Sequence, residues 1–111
     1  MIGIAGLTEY FYNTLREVTK NVFPLVATEG TSLPFIVFER SNMSETGTKD
    51  GASELDVSFT VKIVSATYFE GVKLADDVRY YLHKMENHPY LTGASEEYTT
   101  DGYVQTLNFS L

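Results

Sequence analysis

The stretch ELDVSFTVKIV, residues 54–64, has the clearest pattern in the chain and decides the class of fold. Apolar and polar residues alternate, which is the spacing at which successive side chains of a β-strand point to opposite faces. The apolar set is Leu55, Val57, Phe59, Val61 and Ile63, and the polar set is Asp56, Ser58, Thr60 and Lys62. One buried and one exposed face are typical of antiparallel sheets. We therefore expect a half-buried strand that pairs with a neighbour in a hairpin.

The region before this stretch predicts two further strands and a long loop. Residues 35–40, FIVFER, are rich in β-branched and aromatic side chains and predict a strand. Residues 22–28 predict an edge strand, because Pro24 has no N–H to donate to a ladder. Residues 41–53 are polar, contain two glycines and show no periodicity. They predict a connecting loop of unusual length, and such loops often carry function.

The C-terminal region predicts a second hairpin. Residues 94–100 and 103–111 have strand character and flank the dipeptide Asp101-Gly102. Asp-Gly is favoured in the two-residue type I′ turn, where both central residues need positive φ and glycine adopts it without steric cost. We expect the turn to centre on these two residues.

Two segments have helical periodicity. In the first, residues 7–22, Thr8 is expected to cap the N-terminus. The second, residues 68–86, follows Thr67 with Glu70 three positions later, which is the pattern of a capping box. The apolar faces are Leu7, Phe11, Leu15, Val18 and Val22 in the first helix, and Val72, Ala75, Val78, Leu82 and Met85 in the second.

The order of these elements, α-β-β-β-α-β-β, predicts the fold class. Strands come in hairpins rather than alternating with helices, so we expect an antiparallel β-sheet with both α-helices packed on one face, an α+β fold. The length of 111 residues fits a single domain over residues 1–111.

The composition narrows the classes of function. The formal net charge is −7 and the eight lysines and arginines are scattered, whereas tight nucleic-acid binding normally needs a basic face. The absence of cysteine excludes disulfides and thiol chemistry. No stretch approaches the roughly 20 apolar residues that cross a bilayer, and the first residues lack a signal-peptide pattern. We expect a cytoplasmic protein with no membrane partner.

Residues that carry most enzyme chemistry are sparse in the chain. The only histidines, His83 and His88, are five positions apart, whereas two metal ligands on one helix face are four apart. An enzyme would need Asp76, Glu86 and His88 to converge in one cleft. No nucleophile elbow, phosphate loop or dinucleotide-binding motif is present. We therefore expect no enzyme, no metal site and no cofactor.

A long run of the sequence resembles a known family of phage proteins. It reads LPFIVFERSNMSETGTKDGASELDVSFTVKIVSATYFEGVKLADDVRYYLH, residues 33–83. The recurring shape is a P-x-I-x-Y/F strand, a polar loop, an alternating strand, and a helix that opens Y-x-E/D-A/G and continues A-x-x-V-R. These parts correspond to residues 34–38, 41–53, 55–63, 68–71 and 75–79. The pattern is similar to the tail-terminator, or tail-completion, family of long-tailed phages.

The resemblance implies a structural protein of virion assembly. Members form a homo-oligomeric ring, commonly a hexamer, that caps the tail tube, ends its polymerisation and offers an attachment surface to the head or neck. The implied partners are further copies of the chain, the tail tube protein and the connector protein. The implied location is the bacterial cytoplasm during assembly and then the virion tail. An acidic lumen would let DNA pass without binding it.

Five residues are candidates for interaction with these partners. Glu45, Lys49 and Asp50 lie in the long loop, and Tyr80 and Tyr81 flank the apolar stripe of the second helix. Tyrosine is enriched at protein interfaces because it buries a large area and keeps a polar tip. The competing interpretation is that the tyrosines only extend a small core.

Three alternative functions stay open on the sequence. A head–tail joining, or neck, protein could share the fold. A small dimeric α+β domain could bind a small molecule between sheet and helices, which would require a pocket with convergent polar groups. The third alternative is the enzyme built on Asp76, Glu86 and His88.

Overall fold

The computed structural model describes residues 4–47 and 53–111, which form two helices and one five-stranded sheet. The elements are α1 (Ile4–Leu15), β1 (Val22–Pro24), β2 (Phe35–Gly47), β3 (Ser53–Ser65), α2 (Tyr68–His83), β4 (Tyr90–Thr99) and β5 (Gly102–Ser110). The strand order across the sheet is β1-β2-β3-β5-β4. The α+β class and the element order predicted from the sequence are confirmed. No helix within the described ranges is long and apolar enough to span a membrane.

The sheet is antiparallel except at one edge. β2, β3, β5 and β4 pair antiparallel in that spatial order. β1 pairs parallel to β2, with Val22 opposite Ile36 and Pro24 opposite Phe38. The sheet is therefore mostly antiparallel as predicted, and β1 is the exception. β1 is an edge strand as predicted, but it is only three residues long instead of extending to residue 28.

The long loop predicted over residues 41–53 is wrong for residues 41–47 and for Ser53, whereas residues 48–52 lie outside the described residues. β2 continues through Gly47 and β3 begins at Ser53, so the two strands form a ribbon that extends beyond the rest of the sheet. Within it, Glu45 lies opposite Leu55. Residues 41–47 are exposed on both faces, so nothing selects an apolar alternation that would reveal a strand. The cross-strand ladder with β3 holds them extended instead.

Helix α1 begins and ends earlier than its periodicity predicts. Thr8 is inside the helix and is not its N-cap, because its hydroxyl donates a hydrogen bond of 2.7 Å to the carbonyl of Ile4, one turn back. The helix ends at Leu15, where a turn follows with Val18 N–H donating to the Leu15 carbonyl. Val22, predicted as the last residue of the helical stripe, is buried in β1. The apolar residues keep a helical spacing through the turn after Leu15, so the sequence pattern does not show that the helix ends there.

Helix α2 begins where the capping pattern predicts. The Thr67 side chain accepts a hydrogen bond from the Glu70 backbone N–H at 3.3 Å, and Glu70 accepts from the Ala66 N–H at 3.4 Å. The return bond therefore reaches Ala66 rather than Thr67 itself. The helix ends at His83 instead of residue 86, although Met85 beyond the end is buried as predicted.

Both helices cover the same face of the sheet and share one core. Phe11 of α1 stacks on Phe59 of β3 with ring centroids 4.4 Å apart, and both side chains are fully buried. Val78 and Leu82 of α2 join the same cluster. Burying a side chain of this kind contributes roughly 1.5–3 kcal/mol, so this layer supplies most of the apolar stabilisation.

The C-terminal hairpin turns one residue earlier than predicted. Thr99 pairs with Gly102, so Thr100 and Asp101 form the loop and Gly102 is the first residue of β5. A type I′ turn needs positive φ at both loop residues, and neither Thr100 nor Asp101 has it. The I′ prediction is wrong. Gly102 has φ +141°, and a Cβ there would lie 2.5 Å from the carbonyl oxygen of Ser65. Glycine is required because the hairpin end packs directly on the end of β3.

Candidate functional site

The structure describes three of the five predicted interaction residues, and these three lie on two different elements. Glu45 is exposed on β2 within the β2–β3 ribbon. Lys49 and Asp50 lie outside the described residues. Tyr80 and Tyr81 lie in the last turns of α2, where Tyr80 is 58% exposed and Tyr81 is half-buried. The ribbon and the tyrosine pair are on different elements, so they do not form one site.

The tyrosine pair on α2 already holds a cation of its own chain. The Lys84 Nζ lies 4.2 Å from the centroid of the Tyr80 ring and 6.0 Å from that of Tyr81. The contact with Tyr80 raises the pKa of Lys84, since the tyrosine stabilises the charged ammonium. An ammonium over a tyrosine face is attracted by the negative potential of the ring. Tyr80 and Tyr81 therefore contact Lys84 of their own chain at the end of the helix.

An open groove lies between α2 and β4. Its volume is about 900 Å³ and it is lined by acidic, basic and aromatic side chains. The lining residues are Asp76, Asp77, Arg79, Tyr80, His83, Pro89, Tyr90, Leu91 and Phe109. Arg79 Nη1 lies 3.8 Å from Asp76 Oδ1, and both side chains are more than half exposed. A surface pair of this type contributes at most about 1 kcal/mol.

The enzymatic hypothesis required three residues in one cleft. Asp76 lines the α2–β4 groove, but Glu86 and His88 are not among its lining residues. His88 Nδ1 instead lies 3.2 Å from the carbonyl oxygen of His83, beyond the end of α2, and the two rings are 6.0 Å apart. Within the part of the chain that the structure describes, no three histidine or carboxylate side chains group as metal ligands. The arrangement offers a polar surface and no assembled set of acid, base and nucleophile.

A second concave site, which the sequence analysis missed, lies where α2 begins. Glu96 of β4 accepts two hydrogen bonds there, from the Tyr68 hydroxyl and from Gln105 Nε2, each 3.0 Å long. Gln105 is only 8% exposed, so its amide is fixed by packing and holds the carboxylate in place. The bond to Glu96 raises the pKa of Tyr68, because the carboxylate favours the protonated phenol.

Aromatic rings surround this carboxylate. The Tyr98 and Tyr103 ring centroids are 4.8 Å apart, and the Tyr68 and Tyr103 centroids are 6.1 Å apart at an interplanar angle of 72°. The concavity has a volume of about 200 Å³ and is lined by Tyr68, Glu96, Glu97, Tyr98, Tyr103 and Gln105. We call it the tyrosine pocket. Next to it, Phe69 is 80% exposed and packs edge-on against Tyr68.

A third feature lies beside β1. Leu25 and Val26 are 73% and 75% exposed, and Leu25 has φ +67°, a conformation that is costly for any residue with a branched or bulky side chain. They border a groove of about 510 Å³ on the sheet face opposite the helices, where Phe35, Val37 and Val104 form an apolar floor. Two adjacent apolar side chains held outward by a strained backbone are typical of a contact site rather than of a free surface.

Sequence signals existed for some of these residues. A hairpin turning on residues 100–101 brings Tyr98 directly opposite Tyr103, and Glu96 opposite Gln105. Placing the turn one residue later hid both pairs. Nothing in the sequence indicates that Leu25 and Val26 are exposed, since the composition of residues 22–28 predicts one continuous strand.

No protein-family model matches the chain, and no curated protein matches it.

Proposed function

We propose that the chain is a tail-terminator subunit of a long-tailed phage: a non-enzymatic structural protein that forms a homo-oligomeric ring, a hexamer by its resemblance to that family, on the end of the tail tube. The ring would end tube polymerisation and present an attachment surface for the head or neck connector. What supports the proposal is the resemblance over residues 33–83 together with one structural observation, the pair of open sheet edges.

The two edges lie on opposite sides of the sheet. β4 pairs with β5 on one side, and no described strand lies on its other side. At the opposite edge, β1 covers only residues 36–38 of β2, which leaves the outer side of residues 39–47 without a described partner strand. Open edges present backbone donors and acceptors that favour pairing with another chain.

Two different open edges suit a ring better than a dimer. In a closed ring each subunit offers one surface to the subunit before it and a different surface to the subunit after it. A two-fold dimer needs only one self-complementary surface. Exposed apolar residues accompany both edges, with Leu25 and Val26 beside β1 and Tyr90, 60% exposed, on β4. These residues would supply the apolar contacts of such an interface.

The charge of the chain is consistent with a passage for DNA. The excess of seven negative charges repels phosphate and disfavours a tight nucleic-acid complex. A ring with an acidic lumen would let the genome pass. The proposal therefore assigns DNA no binding residues in this chain.

The first experiment is native mass spectrometry over a range of protein concentrations, with negative-stain images of the same samples. A closed ring of about six subunits is the expected result, through heterologous closure. If only a monomer forms, isolated tail tubes are added and their ends imaged for a cap. A dimer at every concentration, with no cap on tubes, would contradict the proposal.

A matched pair of variants tests the β1 edge. Val26→Asp places a charge on an exposed apolar side chain and is expected to reduce the fraction of rings. Ser32→Asp adds the same charge at an exposed polar position that does not line this groove, and is expected to leave ring formation unchanged. Equal loss of rings in both variants would show that net charge, not the apolar contact, controls assembly.

A small-molecule module is the second candidate, and the α2–β4 groove is the observation that favours it. Its volume of about 900 Å³ lies within the usual range for ligand sites, and it brings Asp76, Arg79 and His83 to one surface. A stable dimer whose groove binds a metabolite-sized compound would support this alternative.

A further inference from the structure

The tyrosine pocket contains a negative charge that no cation among the described residues neutralises. Glu96 has both carboxylate oxygens hydrogen-bonded, but its donors are the hydroxyl of Tyr68 and the amide of Gln105, which are neutral. None of the pocket's lining residues is a lysine or an arginine, and the structure describes the whole of this lining. The carboxylate is therefore oriented by the fold, and its charge remains available to a ligand.

The rings around the carboxylate are the second part of the site. Tyrosine faces carry negative electrostatic potential and attract cations within about 6 Å of the ring centroid. Tyr98 is 72% exposed and Tyr68 is 39% exposed, so their rings are accessible. Exposing aromatic area to water is unfavourable, and Phe69 beside them is exposed to 80%. This concentration of rings at one carboxylate indicates a contact site.

The chain shows the same chemistry satisfied elsewhere. At the other end of α2, Tyr80 and Tyr81 carry the ammonium of Lys84, with Nζ 4.2 Å from the Tyr80 centroid. The tyrosine pocket has the rings and, in addition, a carboxylate, but its lining residues include no cation. The size of about 200 Å³ is below the roughly 300 Å³ at which small-molecule sites begin, and it suits one side-chain head group.

We propose that the tyrosine pocket is a receptor for an arginine side chain of a partner polypeptide. A planar guanidinium can stack on a tyrosine ring while its edge donates to a carboxylate, which a compact ammonium cannot do as well. In this assignment Tyr98 and Tyr103 hold the guanidinium by stacking, and Glu96 accepts its N–H groups. Gln105 and Tyr68 are positioning residues that fix the carboxylate. The inference does not depend on ring formation.

The test uses amide NMR on the ¹⁵N-labelled chain. Nα-acetyl-arginine amide is titrated at constant ionic strength, and Nα-acetyl-citrulline amide, its neutral isostere, is titrated in parallel. We expect arginine to shift the amide signals of Tyr68, Glu96, Tyr98 and Tyr103 with a dissociation constant on the order of 10 mM, as is usual for one isolated side chain. Citrulline is expected to bind roughly fivefold more weakly or not at all.

Two pairs of variants separate the pocket from general electrostatics. Glu96→Gln is expected to weaken arginine binding roughly fivefold, while Glu86→Gln makes the same change of charge at an exposed position beyond the other end of α2 and is expected to stay within about twofold. Tyr98→Leu removes an exposed ring and is expected to weaken binding to a similar degree, whereas Tyr98→Phe keeps the ring and the binding. The amide spectrum of each variant reports whether it is folded.

Several results would overturn the assignment. Equal shifts with arginine and citrulline would remove the role of the charge, and equal losses in Glu96→Gln and Glu86→Gln would leave only a diffuse acidic surface. The absence of any shift in these amides up to the solubility limit of the probe would also reject it. None of these results bears on whether the chain forms a ring, so failure here and failure of the proposed function are distinguishable.

Discussion

The chain contains two aromatic clusters that differ in residue type, burial and surroundings. Phe11 of α1 packs with Phe38 and Phe59 of the sheet, each no more than 3% exposed, with ring centroids 4.4 to 6.4 Å apart. At the start of α2, the tyrosine pocket joins three rings at comparable spacings, but these rings are at least partly exposed and one of them, Tyr68, bonds a carboxylate.

The difference follows from one hydroxyl group. A buried phenylalanine needs no polar partner, so it can fill the centre of a core, whereas a tyrosine keeps a polar tip that must reach water or a hydrogen-bonding group. In these two clusters the buried rings are phenylalanines and the accessible rings are tyrosines. We therefore expect the first cluster to control stability and the second to control contacts with other molecules.

The largest effect is expected in the buried cluster. Phe59→Ala removes a ring that stacks on Phe11, and it should lower the free energy of unfolding by about 3–5 kcal/mol. Chemical denaturation followed by circular dichroism measures it. Phe69→Ala is the control, since that ring is 80% exposed and its loss should change stability by less than about 0.5 kcal/mol. Similar losses in the two variants would break the distinction between the clusters.

A smaller effect is expected at the hairpin that supports the exposed cluster. Gly102→Ala introduces a Cβ 2.5 Å from the Ser65 carbonyl at φ +141°, so stability should fall by about 1–3 kcal/mol. Gly47→Ala, where a Cβ meets nothing within 4 Å, should be nearly neutral. Thermal unfolding of both variants tests this. A neutral Gly102→Ala would show that the hairpin end does not pack tightly on β3.

The sequence predicted the buried cluster far better than the exposed one. The alternation over β3 and the apolar stripe of α2 both arise because one face is buried, and a buried face requires apolar residues at regular spacing. Phe11 and Phe59 were placed correctly for this reason. The β2–β3 ribbon shows no such spacing, because residues 41–47 face water on both sides. A strand held only by its ladder cannot be told from a loop by composition.

The tyrosine pocket was missed because of a one-residue error in the hairpin. Side chains alternate with period two, so a shift in register changes which residues lie opposite one another. With the turn on Asp101-Gly102, Thr100 would lie opposite Tyr103, whereas the structure pairs Tyr98 with Tyr103. Dipeptide preference favoured the later turn. The contact of Gly102 with Ser65, a long-range constraint, selected the earlier one.

Helix α2 carries Tyr68 of the exposed cluster at its N-terminus. Loss of the cap there should have a small effect on the free energy of unfolding. Thr67→Ala removes the acceptor for the Glu70 N–H and should destabilise the chain by about 1 kcal/mol. Thr67→Ser keeps the hydroxyl and should be close to the parent. Denaturant midpoints of the three proteins measure the difference. If alanine and serine were equivalent, the cap would not contribute to the helix that carries Tyr68.

The smallest expected effect is a titration within the exposed cluster. Because the bond to Glu96 raises the pKa of Tyr68 above 10.0, the folded chain holds the phenolic proton more tightly than the unfolded chain does. This contribution to stability is complete below pH 10.0 and is lost as the pH rises through the folded-state pKa. Glu96→Gln should therefore lower the pKa of Tyr68 towards that of an ordinary tyrosine. Ring-carbon NMR of Tyr68 across the alkaline range measures the shift.

Tyr68→Phe provides the control for this titration, because it deletes the proton and keeps the ring. The variant should lack the titrating ring signal of Tyr68. Its free energy of unfolding should no longer include the contribution that the parent protein loses as the pH rises above 10.0. No comparable change is expected on replacing a phenylalanine of the buried cluster by another apolar residue, since that cluster has no group that titrates. If Glu96→Gln left the Tyr68 titration unchanged, the hydrogen bond would not persist in solution. The carboxylate would then lack one of the two donors that orient it, and the distinction between a fixed pocket and a set of mobile surface rings would disappear.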